Sequence, residues 1–260
     1  MVPSRTAPDG SPYPDRSLPT FERDVRAMFT HIVQRYEWFD HVASLGSDFV
    51  WRPRALWDLD RFRSISPIRS ALDLGCGTGE LARLVAQRYP SARVLAADFT
   101  SAMLVRARAE SAGRFDERRL SFARATAMRL PLGDATFDLV TNAFLARNLV
   151  DLPLALREMR RVLRPGGVLL TLEITEPVSP AVARLFHAYF DRVVPWLGAA
   201  VQSAGPYRYL PESLRSLPSR SDFLRALEDA GFPRCVAIPQ SLGIVTTFLA
   251  EAFGSGGQSR

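Results

Sequence analysis

The chain has 260 residues and is 47% hydrophobic, enough for one core of ordinary domain size, and all 33 of its basic residues are arginine. With no lysine there is no Gly-Lys-[Ser/Thr] phosphate loop, no Schiff-base amine and no kinase strand lysine, so P-loop, pyridoxal-phosphate and kinase chemistries are excluded. Its 27 acidic residues leave a formal charge of +6, which favours anionic surfaces, nucleic acid or acidic lipid, without choosing between them.

Residues 1–20 carry Pro3, Pro8, Pro12, Pro14 and Pro19 among Ser, Asp, Gly and Thr. Such a composition cannot bury enough to order itself and reads as a flexible tail, as do residues 254–260. Residues 21–66 are helical in character and rich in aromatics (Phe29, Tyr36, Trp38, Phe39, Phe49, Trp51, Trp57), which predicts a helical lid ahead of a core over 67–253. From residue 70 short apolar runs alternate with amphipathic stretches. Strands are predicted at 71–74, 93–98, 120–124, 137–144, 168–172, 232–238 and 242–249. Helices are predicted at 80–88, 101–112, 152–163, 180–203 and 221–230, with Pro165-Gly166-Gly167 as a type II turn. Strand–helix alternation of this kind predicts an α/β fold: a doubly wound, mostly parallel seven-stranded sheet behind an N-terminal helical lid.

No apolar run reaches the ~18 residues of a membrane span, and Cys76 and Cys235 do not make a disulfide framework. The expected compartment is the cytoplasm. No His, Cys or acid cluster has metal-ligand spacing, so no metal is expected.

The most informative segment is Leu72-Asp73-Leu74-Gly75-Cys76-Gly77-Thr78-Gly79-Glu80. Alternate glycines between a strand and a helix let the backbone approach a ligand and leave N–H groups free at the helix start. The dinucleotide fingerprint Gly-x-Gly-x-x-Gly wants its last glycine where Glu80 stands, so the match to NAD binding is weak. The match to the Gly-x-Gly-x-Gly loop of S-adenosylmethionine-dependent methyltransferases is good. Asp98, 19 residues past Gly79 at a strand end, is placed to accept hydrogen bonds from both ribose hydroxyls. Gly75, Gly77, Thr78, Gly79, Asp98 and Phe99 are therefore the candidate cofactor residues, with Thr126, Ala127 and Ala143 lining the adenine side.

Further segments carry a more specific resemblance. They are Val25-Arg26-Ala27-Met28-Phe29, Arg35-Tyr36, Ser44-Leu45-Gly46, Trp51-Arg52, Ala146-Arg147-Asn148 and Tyr207-Arg208-Tyr209-Leu210. Together they resemble the menaquinone/ubiquinone-biosynthesis C-methyltransferases over residues 25–249. The resemblance implies a Rossmann-like class I methyltransferase that uses S-adenosyl-L-methionine to methylate a ring carbon of a polyprenylated quinol, demethylmenaquinol first among the acceptors. A ubiquinone-type benzoquinol or another small molecule is the runner-up. Some positions depart from the family pattern. Thr126 stands for an Asp or Asn, Ala143 for a Ser, and Leu145-Ala146 for Gly-Leu before Arg147-Asn148.

The chemistry needs alignment of methyl and ring carbon, and help in forming a phenolate from a hydroxyl that titrates near 10. Arg147 is the candidate for steadying the phenolate, with Asn148 orienting it. Tyr207 and Tyr209 are placed by the resemblance as further catalytic candidates, and Tyr36 and His31 as substrate-binding ones. A nucleic-acid partner is not expected, because Asn142-Ala143-Phe144-Leu145 lacks the Pro-Pro-aromatic signature of base-amine methyltransferases. Peripheral contact with the inner face of the membrane and a homodimer both remain open. Arg157, Arg160, Arg161 and Arg164 form a solvated helix face or a headgroup patch.

Overall fold

Alternation of buried side chains explains why the short apolar runs become strands of one sheet. The computed structural model describes residues 48–63, 67–189 and 219–253. In chain order these form α1 (Asp48–Phe62), β1 (Ser70–Leu74), α2 (Glu80–Arg88), β2 (Arg93–Asp98), α3 (Ser101–Ser111), β3 (Leu120–Arg124) and β4 (Phe137–Ala143). A 3-10 turn (Ala146–Asn148) leads to α4 (Leu152–Val162), β5 (Leu163–Ile174), α5 (Pro180–Ala188), α6 (Arg220–Asp229), β6 (Arg234–Gln240) and β7 (Val245–Ala252). The expected flexible tails, and the lid before residue 48, lie outside the described residues.

The seven strands run in the order β3-β2-β1-β4-β5-β7-β6. All pairs from β3 to β5 are parallel, and β7 is antiparallel to both β5 and β6. The order reverses between β1 and β4, so the carboxyl ends of these strands diverge to leave a crevice where ligands bind. Along β5, Val168, Leu170 and Leu172 pack with α1 and α2, while Leu169 packs with α4 and α6. A central strand must be apolar on both sides because both faces are covered.

Helix α4 shows how local sequence sets an element. Asp151 caps it by accepting the Leu154 N–H at 2.8 Å, Pro153 sits in the first turn, and Leu152, Ala155, Leu156, Met159 and Val162 form its buried stripe. Three of the four clustered arginines are committed to partners within the chain. Arg161 bonds Glu158 at 2.8 Å and Asp134 at 2.6 Å, Arg164 bonds Asp138 at 2.7 Å, and Arg160 bonds the carbonyl oxygens of Gly231 and Phe253.

Two local readings need correction. Pro165-Gly166-Gly167 does not precede the strand but lies within it: Phe137 pairs with Leu163 and Leu139 with Val168, so the chain bulges between them. The turn chemistry survives inside that bulge, with Gly166 at φ +79°. The closing strand pair is shifted as well. Leu242, expected to open the last strand, sits at φ +60° in the tight connection Ser241–Gly243 and is 72% exposed.

Candidate functional site

Backbone geometry at the end of β1 builds the cradle. Gly75, Gly77 and Gly79 have φ of +67°, +54° and +83°, the left-handed region that favours glycine. A Cβ at Gly77 would meet nothing within 4 Å, so this backbone faces open space, as a ligand-facing loop must. At Gly79 the need is packing, since a Cβ there would lie 3.2 Å from Ala107 and 3.4 Å from Phe122. Thr78 is buried, and its carbonyl accepts from Arg83 at 2.7 Å.

Asp98 closes the cradle from the end of β2. Its Oδ2 accepts the N–H of Gly77 at 2.9 Å and its Oδ1 the N–H of Thr100 at 2.7 Å. Burial raises its carboxyl above the usual range, and these backbone donors pull the other way. A buried carboxylate tied to the glycine loop, with lone pairs to spare, fits a ribose diol. Burial also raises the Cys76 thiol well above its ordinary value, so this cysteine stays protonated and is not a nucleophile.

Beside the loop a cleft of about 40 Å³ is lined by Gly75, Phe99, Thr126, Ala127, Leu145 and Asn148, among others. It therefore gathers both halves of the predicted adenine side except Ala143, which packs with the α1–α2 side of the core. Phe99, Ala125 and Thr126 also line an adjoining open cleft of about 930 Å³. Thr126 Oγ1 accepts the Met128 N–H at 3.4 Å.

Arg147 projects from the 3-10 turn after β4. It is 7% exposed, and its guanidinium carbon lies 5.8 Å from the centroid of the Phe144 ring. Asn148 Nδ2 donates to the Phe144 carbonyl at 3.1 Å, fixing the turn. Phe144 is held at φ +57°, an uncommon conformation for an aromatic residue. His31, Tyr36, Tyr207 and Tyr209 lie outside the described residues. Among the described residues no group of His, Cys, Asp and Glu could hold a metal ion, and no helix is long and apolar enough to cross a membrane.

Four further residues belong to this environment. Arg52 of α1 is buried, pairs with Glu80 at 3.1 Å and lies 5.5 Å from the same Phe144 ring, so α1 is tied to the glycine loop. Asp73, in the strand leading to the loop, accepts the Thr141 hydroxyl at 2.7 Å and is pushed up to about 7 by burial. Leu145 lies over Gly75, where a Cβ would come within 2.7 Å of its Cδ1. Glu173, near the end of β5, is 1% exposed. The signal for Asp73 and Glu173 was available in sequence: each is a lone acid inside an apolar strand.

A mostly parallel sheet with this strand order and an antiparallel β7, a glycine-loop cradle after β1 and an acid at the end of β2 define an S-adenosylmethionine-dependent methyltransferase of the Rossmann-like type. The comparisons with known proteins carry this further. The chain belongs to the ubiE/COQ5 methyltransferase family, whose model matches residues 19–251. It is 41% identical to the demethylmenaquinone methyltransferase of Thermus thermophilus, over 79% of this chain and 91% of that one. It is 34% identical to the ubiquinone/menaquinone biosynthesis C-methyltransferase UbiE of Syntrophotalea carbinolica, over 87% and 93% of the two chains. A solved SAM-dependent methyltransferase from Thermotoga maritima shares the fold at a TM-score of 0.60 and 17% identity, covering 87% of this chain and 98% of that one. This chain is a C-methyltransferase of quinone biosynthesis.

Proposed function

We propose that the enzyme methylates a ring carbon of a polyprenylated quinol, with demethylmenaquinol as the acceptor, and that Arg147 is the cation that steadies the acceptor oxygen. The observation that carries the proposal is a buried arginine at the carboxyl end of the sheet, on the turn that shares a cleft with the glycine loop. The Thermus relative supports the choice of acceptor.

When bound, S-adenosylmethionine supplies a methyl group already activated on a sulfonium. The open backbone of the Gly75–Gly79 loop would let the cofactor approach closely, Asp98 would take the ribose hydroxyls, and Phe99, Thr126 and Ala127 would flank the adenine, with Ala143, expected there, packed away into the core. Arg147 holds the ring oxygen as an anion beside the carbon that is methylated, and Asn148 keeps the turn in register. Methylation of the ring carbon would break the methyl–sulfonium bond and leave S-adenosylhomocysteine, and the ring carbon would then lose its proton to water so that aromaticity returns. Such an acceptor lives in lipid, so the working place is the inner face of the cytoplasmic membrane, touched from outside the bilayer.

Transfer of a radiolabelled methyl group into reduced demethylmenaquinone, run beside a demethylated ubiquinol precursor, tests the acceptor. Label in the naphthoquinol at a kcat/KM at least ten times that of the benzoquinol is the expected result. The reverse preference overturns the choice.

A further inference from the structure

The residues assigned above to the cofactor follow the order of the strands. Thr126 and Ala127 come after β3, Asp98 ends β2 and Gly75 follows β1, and these strands are neighbours in the sheet. A nucleoside with its base at β3 and its ribose at β2 directs its sulfur toward β1 and the next strand, β4. In S-adenosylmethionine that sulfur carries an α-amino acid, whose carboxylate is ionised at neutral pH. An anion brought beside the buried acids Asp73 and Asp98 needs a cation of its own.

Among the described residues two arginines meet at that end of the sheet. Arg52 of α1 and Arg147 both approach the ring of Phe144, the residue after β4, with guanidinium carbons 5.5 and 5.8 Å from its centroid. Arg147 is the cation given to the acceptor. Arg83, also beside the loop, is committed to the Thr78 carbonyl at 2.7 Å and to Glu110 at 3.1 Å. Arg52 is buried and held against the loop itself, its Nη1 lying 3.1 Å from Oε2 of Glu80, the residue after Gly79. The neighbouring Trp51 fixes that part of α1. Its Nε1 donates to Ser241 Oγ at 2.7 Å, and its ring meets Phe144 edge-on at 6.2 Å. The ion pair alone is a weak reason to bury a guanidinium, because desolvation offsets much of the attraction.

We propose that Arg52 binds the α-carboxylate of the cofactor's amino acid, with Glu80 holding the guanidinium at the mouth of the glycine loop. The inference rests on the placement of ribose at Asp98 and adenine at Thr126 and Ala127. A guanidinium presents its N–H donors in a planar fork, which lets one arginine hold Glu80 and a ligand carboxylate together. The assignment makes α1 the element that tells a nucleoside bearing an amino acid from one without it.

The test is calorimetric binding to the full-length enzyme, with no acceptor present. The ligands are S-adenosylhomocysteine and its decarboxylated analogue, which keeps the amine and lacks only the carboxylate. Wild type should prefer S-adenosylhomocysteine by about 10- to 100-fold, the usual worth of a hydrogen bond to a charged group. R52Q should bring the two affinities to within about threefold of each other by weakening S-adenosylhomocysteine alone. Its affinity for the analogue should match wild type, which also reports that the variant folds. R52K, with the charge but not the fork, should bind the analogue as wild type does and keep part of the preference. Three results overturn the proposal: no preference in wild type, a preference undiminished in R52Q, or an equal loss of both ligands in R52Q and R52K.

D98A separates this inference from the ribose assignment on which it rests. Both ligands carry the ribose, so D98A should weaken them by the same factor and leave their ratio as in wild type. Wild-type affinities in D98A would dismiss the ribose assignment, whereas the fate of Arg52 turns on the ratio in R52Q and R52K.

Discussion

At the scale of single residues, the proposed site separates groups that hold the cofactor from groups that act on the acceptor. The proposal puts Asp98 in the first set, since it is tied to the glycine loop. Replacing Asp98 with Ala removes a charged acceptor of two hydrogen bonds, worth roughly 1.5–3 kcal/mol. Cofactor affinity should fall about 10- to 100-fold by calorimetry, and unchanged affinity would remove Asp98 from the ribose site. The proposal puts Arg147 in the second set. Arg147→Ala should leave S-adenosylhomocysteine binding nearly intact and lower kcat by about 10²–10³, the usual effect of deleting one donor to a developing anion. A variant with wild-type kcat would dismiss the assignment. The glycine loop and its tie to Asp98 were legible in sequence because left-handed backbone at Gly75, Gly77 and Gly79 constrains the residue type.

At the scale of elements, strand and helix placement followed from apolar periodicity, whereas connections did not. The residues of the β5 bulge read as a plain turn because Pro-Gly-Gly satisfies turn chemistry wherever it occurs. Only the register with β4 shows that the strand has already begun at Leu163. Leu242 misled in the opposite way, being apolar and therefore strand-like, although a short antiparallel connection needs left-handed residues there. The bulge also makes a test of packing. A Cβ at Gly167 would stand 2.9 Å from the Arg164 carbonyl and 3.2 Å from that of Asp138, both backbone atoms that cannot swing aside. Gly167→Ala should therefore cost about 1–3 kcal/mol, lowering Tm by about 2–4 °C per kcal/mol for a chain of this size. Calorimetric unfolding with no loss of Tm would mean that the bulge yields more easily than its geometry suggests.

At the scale of the whole molecule, two populations of carboxylates pull stability in opposite directions with pH. Asp60, Asp138 and Glu158 are paired with arginines that hold them below their ordinary values, so their contribution is present above about pH 4 and lost as pH falls further. Asp73, Asp98 and Glu173, all near the carboxyl end of the sheet, are raised by burial instead. For such a group the folded state binds more protons than the unfolded one between the two pKa values, so stability falls as pH rises through that interval. Asp73 makes the interval explicit, from about 3.8 when unfolded to about 7 when folded. Stability in the absence of cofactor should thus peak on the acid side, near pH 5, and decline toward pH 8. Asp73→Asn removes one titration while leaving an oxygen to accept from Thr141, and thermal unfolding of this variant from pH 5 to 8 should show a distinctly shallower slope than wild type. An equal slope would place the cost elsewhere. The physical sense of the arrangement is that a buried acid such as Asp98 is kept where the glycine loop is tied to it, and the fold carries the penalty at neutral pH.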